Sequence, residues 1–321
     1  MLPRSISGPS HISISARLCQ NRSMSARLAW PARWVLLFPA LALVCASAAG
    51  QSPAQPFQFA VIGDRTGRAV PGVHEAIWKE VCSRRPAFIV TIGDHIEGPG
   101  AGDLEQQWRD YLELIRPYRN IPVYFTPGNH DVFSDASAHA FTRNTGQPLQ
   151  QSFDYAGAHF VILDNSRSLE LDEPQLAFLE QDLARNAGKS PKFVFFHKPY
   201  WLIPLKFHSS QFRLHELAQR YRVNFVISGH THQFTALRAG PVTYVVVGSS
   251  GASLERGLSL GQGFDEGWFF QYLWISVDKT GRVHVTTCEA APPYGKGRRI
   301  LLERRLTTQP IAFKVSQPPA H

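Results

Sequence analysis

Ile121-Pro-Val-Tyr-Phe-Thr-Pro127 is an apolar run that leads directly into Gly128-Asn129-His130-Asp131. Further along the chain, Val223-Asn-Phe-Val-Ile-Ser228 leads in the same way into Gly229-His230-Thr231-His232. Each run has the length and composition of a short strand, and each is followed by a turn rich in metal-binding side chains. An α/β sheet places its active site where its strands end. The two stretches therefore predict an α/β fold with a metal site at its strand ends.

The rest of the chain extends this pattern on both sides. Strands are predicted at 57–62, 88–92, 123–125, 192–196 and 223–227, helices at 73–83, 104–115, 174–186 and 212–221, and a hairpin at 152–155 and 159–163. Strands without helices follow at 234–238, 242–247, 269–277 and 283–288. Alternation followed by a run of strands predicts two packed mixed β-sheets flanked by helices, an α/β/β/α sandwich.

Composition sets the domain plan. The chain has 321 residues, of which 44% are hydrophobic and 18% are charged, which suits one large folded domain. We place that domain at residues 57–290, with a leader before it at 1–48 and a basic, proline-containing surface tail after it at 291–321. Residues 248–267 are rich in Gly and Ser and predict a long loop.

The first 48 residues resemble an export signal. Trp34–Cys45 is a short apolar stretch after Arg27 and Arg33, and Ala46-Ser47-Ala48 is the small-x-small pattern of a signal-peptidase site. The stretch is too short to span a bilayer comfortably, so no stable membrane span is expected once the leader is removed. We expect a periplasmic or secreted protein. An uncleaved anchor or a buried helix stays open, as does a start at Met24, while Val44 disfavours a lipid-modified Cys45.

The formal charge of +8 does not indicate nucleic-acid binding. The leader contains five arginines and no acidic residue, so only +3 belongs to the remainder, and no long basic run is present. Loss of the leader would also leave only Cys82 and Cys288, which can form one disulfide that the sequence does not establish.

Five predicted strand ends carry candidate metal ligands. They are Gly63-Asp64, Gly93-Asp94, Gly128-Asn129-His130-Asp131, His197 and Gly229-His230-Thr231-His232. A single Asp or His after a strand is usually a turn or structural residue, but five in this order favour a shared centre. Oxygen donors mixed with imidazoles suit Mn, Fe, Zn, Co or Ni.

The order and content of these motifs resemble the calcineurin-like metallophosphoesterase superfamily over about residues 57–250. The resemblance implies a dinuclear centre in which Asp94 bridges two divalent metal ions. It implies that Asp64 and His232 hold the first ion, and that Asn129, His197 and His230 hold the second. Two such ions lower the pKa of a bridging water and clamp the phosphate during in-line attack.

The same resemblance implies that His130 is a catalytic residue that meets the substrate, oriented by Asp131. An N-cap role for Asp131 is the alternative. Arg65, next to Asp64, is a candidate substrate contact, and a surface salt bridge is the alternative for it.

Two positions depart from the pattern. Thr66 stands where family members usually carry a His, which predicts a weaker first metal site. Glu97 stands where purple acid phosphatases, a related branch, carry a Tyr, which argues against that branch.

These features predict a dinuclear metallophosphoesterase that hydrolyses a phosphate mono- or diester of unidentified structure. The alternative is a catalytically weakened metal- or ligand-binding module with the same fold, for which Thr66 is the support. A metallo-β-lactamase-type enzyme would need a His-x-His-x-Asp-His block, which the chain lacks. Neither a Gly-x-Ser-x-Gly elbow nor a Walker A loop is present in the sequence.

Overall fold

The computed structural model describes residues 55–254, 266–267, 269–290, 301–305 and 309–311. The strands in these ranges are β1 Phe57–Ile62, β2 Ile89–Thr91, β3 Val123–Phe125, β4 Gln151–Tyr155, β5 Ala158–Ile162, β6 Lys192–Phe195, β7 Phe225–Ser228, β8 Phe234–Ala239, β9 Val242–Val246, β10 Glu266–Gly267, β11 Gln271–Val277, β12 Val283–Ala290, β13 Leu301–Arg305 and β14 Gln309–Ile311. The α-helices are α1 Val73–Ser83, α2 Leu104–Ile115, α3 Asp135–Thr145, α4 Glu173–Arg185, α5 Leu202–Lys206 and α6 Arg213–Arg220, and a 3₁₀ turn at Arg116–Tyr118 follows α2. The predicted leader lies outside the described residues.

The strands form two mixed sheets. One has the order β13-β12-β11-β1-β2-β3, and the other has the order β10-β8-β9-β7-β6-β5-β4, with β14 also paired to β8. In the first sheet β1, β2 and β3 run parallel. In the second sheet β5, β6, β7 and β9 run parallel. The strands that precede the metal-binding motifs are therefore the parallel strands of each sheet.

Three apolar cores hold the layers together. Between the sheets, aromatic side chains interlock, with Phe59 stacked on Phe88 at a centroid distance of 4.9 Å and Phe160 stacked on Phe193 at 5.0 Å. A second core joins the first sheet to α1, α2 and α3, and a third joins the second sheet to α4, α5 and α6. Burying both faces of each sheet in this way produces four layers, which confirms the predicted α/β/β/α sandwich.

The sequence pattern did not predict helices α3 and α5. Helix α3 begins at a Ser134–Ser137 capping box and ends where Gly146 takes a left-handed φ of 71°. Only Ala140 and Phe141 are buried apolar residues on it, so its hydrophobic periodicity is too weak to read. The helix α5 has five residues and lies between the predicted strand 192–196 and the predicted helix 212–221, and a single turn and a half is too short to show a helical period.

The prediction that 291–321 is only a surface tail is wrong in part. Strand β13 pairs antiparallel with β12, and β14 pairs parallel with β8, so this segment adds a strand to each sheet. Both are short edge strands. Pairing with a neighbouring strand, rather than an apolar alternation, determines such strands.

Two smaller findings complete the fold. Cys82 and Cys288 are free thiols, so the disulfide left open by the sequence is not formed. Among the described residues, no helix is long and apolar enough to cross a membrane.

Candidate metal centre

The parallel strands bring six predicted ligands to one edge of the sandwich. Asp64 follows β1, Asp94 follows β2, Asn129 follows β3, His197 follows β6, and His230 and His232 follow β7. Asp64, Asp94 and His232 have ligand atoms within 4.8 Å of one another, and we call them the first ligand group. Asp94, His197 and His230 meet the same criterion and form the second ligand group. The two groups share Asp94, and they divide the side chains in the way that the resemblance implies.

Short distances link the side chains across the strand ends. His197 Nε2 lies 3.2 Å from Asp94 Oδ2 and 3.1 Å from Asn129 Oδ1. His232 Nε2 lies 3.5 Å from Asp64 Oδ2. Asn129 therefore adjoins the second ligand group, as expected for a neutral oxygen ligand there.

Backbone carbonyls fix the direction of two imidazoles. The Nδ1 atom of His197 lies 2.8 Å from the carbonyl oxygen of Ile92, and that of His232 lies 3.0 Å from the carbonyl oxygen of Ser253. A proton on Nδ1 makes these contacts hydrogen bonds, so Nε2 is the ring nitrogen that would be available to a metal ion once it carries no proton. Such second partners fix the tautomer and the ring orientation of metal-binding histidines.

Three of the predicted ligands have a left-handed backbone. The φ angles are 56° at Asp94, 73° at His230 and 54° at His232. Non-glycine residues rarely adopt this conformation, which costs about 1–3 kcal/mol and concentrates at functional sites. The turns therefore direct these side chains toward the cluster, although the left-handed backbone raises the conformational energy of the folded state.

Glycines allow the turns to pack against one another. A Cβ atom on Gly93, whose φ is 102°, would lie 2.6 Å from Nδ1 of His197. A Cβ atom on Gly128 would lie 2.2 Å from the backbone nitrogen of Asp94. Both distances are far below van der Waals contact, so any larger residue would displace a predicted ligand.

The charges of the site fit a cation. Burial raises the pKa of Asp64 well above its usual value, although His197 opposes this, and Oδ1 of Asp64 has no hydrogen-bond partner. Burial also acts on Asp94, but His197 lowers the pKa of that carboxyl below its usual range. Burial alone would lower the pKa of His197, yet Asp94 and Asp64 raise it to about 9. Among these three groups His197 is the source of positive charge beside two buried carboxyl groups, and a divalent ion would supply such charge better.

His130 lies beside the cluster without belonging to either ligand group. Its backbone N–H donates to Oδ1 of Asp94 at 3.0 Å, and its Nδ1 lies 2.7 Å from the carbonyl oxygen of Glu97. The ring is partly exposed. This placement leaves Nε2 available to a substrate, so the predicted catalytic role of His130 stays a prediction that the geometry permits.

The expected contact of Asp131 with His130 is wrong. The Asp131 carboxylate is fully buried and accepts hydrogen bonds from the backbone N–H groups of Asp94, His95, Ile96 and Gly128 and lies 2.8 Å from Nδ1 of His95. The N-cap alternative is also wrong, because Ser134 caps α3. A carboxylate has two acceptor oxygens and can accept several hydrogen bonds. Those of Asp131 accept from the backbone of the 94–96 turn, and His130 is not among their donors.

The expected substrate contact of Arg65 stays a prediction, and its contacts within the protein lie with the 94–96 turn and Tyr111. Its Nη1 donates to the carbonyl oxygen of His95 at 2.9 Å, and its guanidinium carbon lies 5.8 Å from the ring centroid of the buried Tyr111. The surface salt bridge considered as an alternative is replaced by this cation–π contact. Arg65 therefore supports the fold of the turn.

Thr66 is turned away from the ligand groups. It is completely buried, and its hydroxyl donates to the carbonyl oxygen of Ile96 at 2.8 Å. Its oxygen is therefore engaged elsewhere, and the first ligand group has no donor from this position.

Sequence reasoning missed the role of Glu97. Its carboxylate accepts from the backbone N–H groups of Gly67, Arg68 and Ala69, at 3.4, 3.4 and 3.2 Å, and so holds the loop after Asp64. Three successive N–H donors within a turn form an anion-binding concavity, but nothing in the linear sequence pairs that turn with position 97.

The fold and the shared-carboxylate cluster define an α/β sandwich built for metal binding. The profile of the calcineurin-like phosphoesterase family matches residues 58–234, more than half of the chain. The chain therefore belongs to the calcineurin-like phosphoesterase family, which confirms the resemblance drawn from its motifs.

Curated relatives include plant purple acid phosphatases. Purple acid phosphatase 13 of Arabidopsis thaliana is 27% identical over 173 residues, covering 45% of this chain and 31% of that protein. Purple acid phosphatase 23 of the same plant is 25% identical over 175 residues, covering 46% of this chain and 38% of that protein. The chain thus matches less than half the length of these relatives. The similarity weighs against excluding that branch on Glu97 alone, and the exclusion stays a prediction.

Solved structures share the fold. Purple acid phosphatase PPD1 from yellow lupin (Lupinus luteus) seeds aligns with a TM-score of 0.60 and 16% identity over 84% of this chain and 58% of that chain. GAP50 from Plasmodium, described as the anchor in the inner membrane complex, aligns with a TM-score of 0.54 and 16% identity over 79% of this chain and 90% of that chain. Proteins with different descriptions therefore share this fold. The function has to be inferred from the residues of the site and not from the fold alone.

Proposed function

We propose that the protein is a dinuclear metallophosphoesterase that hydrolyses a phosphate mono- or diester outside the cytoplasm. The observation that carries the proposal is the pair of ligand groups that share the carboxylate of Asp94. A carboxylate between two cations partly cancels their repulsion. Membership of the calcineurin-like phosphoesterase family supports the same reaction class.

Two divalent ions would be held by this chain's own side chains. Asp64, Asp94 and His232 would hold the first, and Asp94, Asn129, His197 and His230 the second. Bound there, the ions would supply the positive charge that activates water and stabilises a phosphate during in-line displacement. Neutral Asn and His ligands leave part of that charge uncompensated, which favours an anionic substrate.

His130 would act on the substrate. Its Nδ1 lies against the Glu97 carbonyl, so Nε2 is the ring nitrogen that can face the leaving oxygen, and the doubly protonated ring would donate its Nε2 proton there. The contact of its backbone N–H with Asp94 keeps the ring close to the shared carboxylate. This role requires no contribution from Asp131.

A weakened binding module is the second candidate. The diversion of Thr66 toward Ile96 favours it, because the first ligand group has fewer side chains than the second with Asn129. Metal binding without turnover would be its signature.

Metal analysis of the purified full-length protein, followed by assays with p-nitrophenyl phosphate and bis(p-nitrophenyl) phosphate, tests the proposal. Hydrolysis that disappears on metal removal and returns with Mn, Fe, Zn, Co or Ni supports it. Asp94→Asn serves as the background control. Folded protein that binds two metal equivalents but cleaves neither ester would support the binding module instead.

We also propose export, on the strength of Arg33, the apolar stretch Trp34–Cys45 and the Ala46-Ser47-Ala48 site. N-terminal sequencing of protein from its native host should find a mature chain that starts at about Ala49. An intact N-terminus on cytoplasmic protein would contradict this.

A further inference from the structure

The turn that carries the shared carboxylate, Asp94–Ile96, has every backbone polar group bonded. It leaves β2 through Gly93 and takes a left-handed φ of 56° at Asp94. Asp94 and His95 are 2% exposed and Ile96 is fully buried, so water cannot satisfy this backbone. The partners come from two other segments of the chain, one on each side.

One carboxylate binds the donor side of the turn. Asp131 accepts the N–H of Asp94 at 2.8 Å, that of His95 at 2.8 Å and that of Ile96 at 3.3 Å. Hydrogen bonds from backbone N–H groups to a buried carboxylate are charge-assisted and stronger than neutral ones. All three donors of the turn therefore depend on one side chain.

Two consecutive residues bind the acceptor side. The carbonyl of Asp94 accepts the backbone N–H groups of Arg65 at 3.2 Å and Thr66 at 3.1 Å. The carbonyl of His95 accepts Nη1 of Arg65 at 2.9 Å, and that of Ile96 accepts the hydroxyl of Thr66 at 2.8 Å. Since Asp64 directly precedes these residues, the same bonds tie the first ligand group to the turn that it shares with the second.

We infer that Arg65, Thr66 and Asp131 are positioning residues that hold the Asp94 carboxylate between the two ligand groups, and that Thr66 supports metal affinity through its bond to Ile96 rather than as a ligand. We call these three residues the turn clamp. The inference rests on the proposed metal centre but not on turnover. Thr66, at the position where family members usually have a His, would then position the turn and would not bind metal.

The physical reason is the left-handed backbone at Asp94. Such a conformation persists only when its surroundings over-determine it. Without the clamp the turn can relax toward an ordinary φ, which would move the carboxylate away from one ligand group. Outer-shell partners of this kind typically change metal affinity by about 10–100-fold.

The test compares Thr66→Val, which keeps the shape and removes the hydroxyl, with Thr66→Ser, which keeps the hydroxyl. Thr126→Val is the matched control, because Thr126 is also completely buried and its hydroxyl has no hydrogen-bond partner. Mn²⁺ affinity of the metal-free full-length proteins is measured by calorimetry, and the thermal unfolding of each metal-free protein is measured beside it.

We expect Thr66→Val to bind Mn²⁺ about 10–100-fold more weakly, with Thr66→Ser and Thr126→Val close to wild type. A Thr66→Val protein that unfolds at a lower temperature but binds Mn²⁺ like wild type would overturn the inference, because the hydroxyl would then be merely structural.

Arg65→Gln is the second variant, for the case in which Thr66→Val does not fold. It removes the bond to the His95 carbonyl and leaves both backbone bonds to Asp94 in place. We expect weaker Mn²⁺ binding here too, and unchanged affinity would overturn the role of Arg65. A wild-type protein that cleaves no ester while these variants still lose Mn²⁺ affinity would refute the proposed function and leave the clamp intact.

Discussion

The two ligand groups share one carboxylate but differ in what surrounds it. The second ligand group has the fully buried His197, oriented by the Ile92 carbonyl and in contact with Asn129. The first ligand group has His232, whose side chain is 13% exposed, and Thr66, which stands where family members usually carry a His, points to Ile96. The two groups that share Asp94 therefore differ in enclosure, since the second is more deeply buried than the first.

The largest effect should come from the residue that both groups share. Asp94→Asn should abolish hydrolysis and lower the bound metal at both sites, because the amide removes the negative charge between them. Metal content by mass spectrometry and turnover of p-nitrophenyl phosphate measure the two effects. Wild-type turnover in this variant would rule out a bridging role for Asp94.

A residue outside both groups should affect turnover without affecting metal. His130→Ala should retain two metal equivalents and lower kcat by about 10²–10⁴-fold, as for loss of a general acid. The loss should shrink for p-nitrophenyl esters, whose leaving group needs little protonation, and grow for alkyl esters. Loss of metal in this variant would instead place His130 among the ligands.

The difference between the groups should appear as two affinities. Titration of Co²⁺ into metal-free protein should show a tight site and a weaker one, with hydrolysis following the weaker. Two equal, tight sites would contradict this, since the first ligand group would then lose nothing by the diversion of Thr66.

The variant Thr66→His tests whether a side chain at position 66 can reach the first ligand group. Because position 66 faces the carbonyl of Ile96, an imidazole there should not strengthen the weaker site and should destabilise the packed turn. Calorimetric titration of the variant measures this. Tighter binding at the weaker site would show that the loop can direct this position toward the metals.

The smallest effect concerns a buried imidazole behind the first ligand group. Nδ1 of His74 lies 2.9 Å from the carbonyl oxygen of Ser250, whose own N–H donates to the carbonyl of Asp64. Burial, and next the charge of Arg65, lower the pKa of His74 from 6.5 to about 3. His74 is therefore neutral in the folded protein while the unfolded chain takes up a proton below pH 6.5.

The unfolded state thus binds more protons between pH 6.5 and about 3, so the free energy of unfolding should fall as the pH falls through that window. The limiting slope for one such group is about 1.4 kcal/mol per pH unit. Urea denaturation of metal-free protein at several pH values measures it. His74→Gln should flatten the dependence, whereas His284→Gln, at a side chain that is 43% exposed, should not.

The sequence by itself determined the sandwich and the positions of the candidate ligands. Both depend on short-range signals: an apolar run forms a strand, a Gly ends it, and the next side chain lies at the carboxyl edge of a sheet. Because β1 and β2 are parallel neighbours, their pairing brings Asp64 and Asp94 to one edge of the first sheet, and packing of the second sheet against the first brings His197 to them. Helix α3 and strand β13 were not predicted, since a capping box and strand pairing specify them rather than an apolar pattern.

Only the tertiary structure decided what the neighbours of the ligands do. Asp131, Arg65 and Thr66 each bond to the 94–96 turn, which is about thirty or more residues away along the chain for every one of them. A carboxylate, a guanidinium and a hydroxyl in the linear sequence are equally compatible with substrate, cap or ligand roles. The role of each side chain depends on which backbone N–H and C=O groups lie within hydrogen-bond distance of it. Those distances are set by the packing of the strand ends in the folded protein.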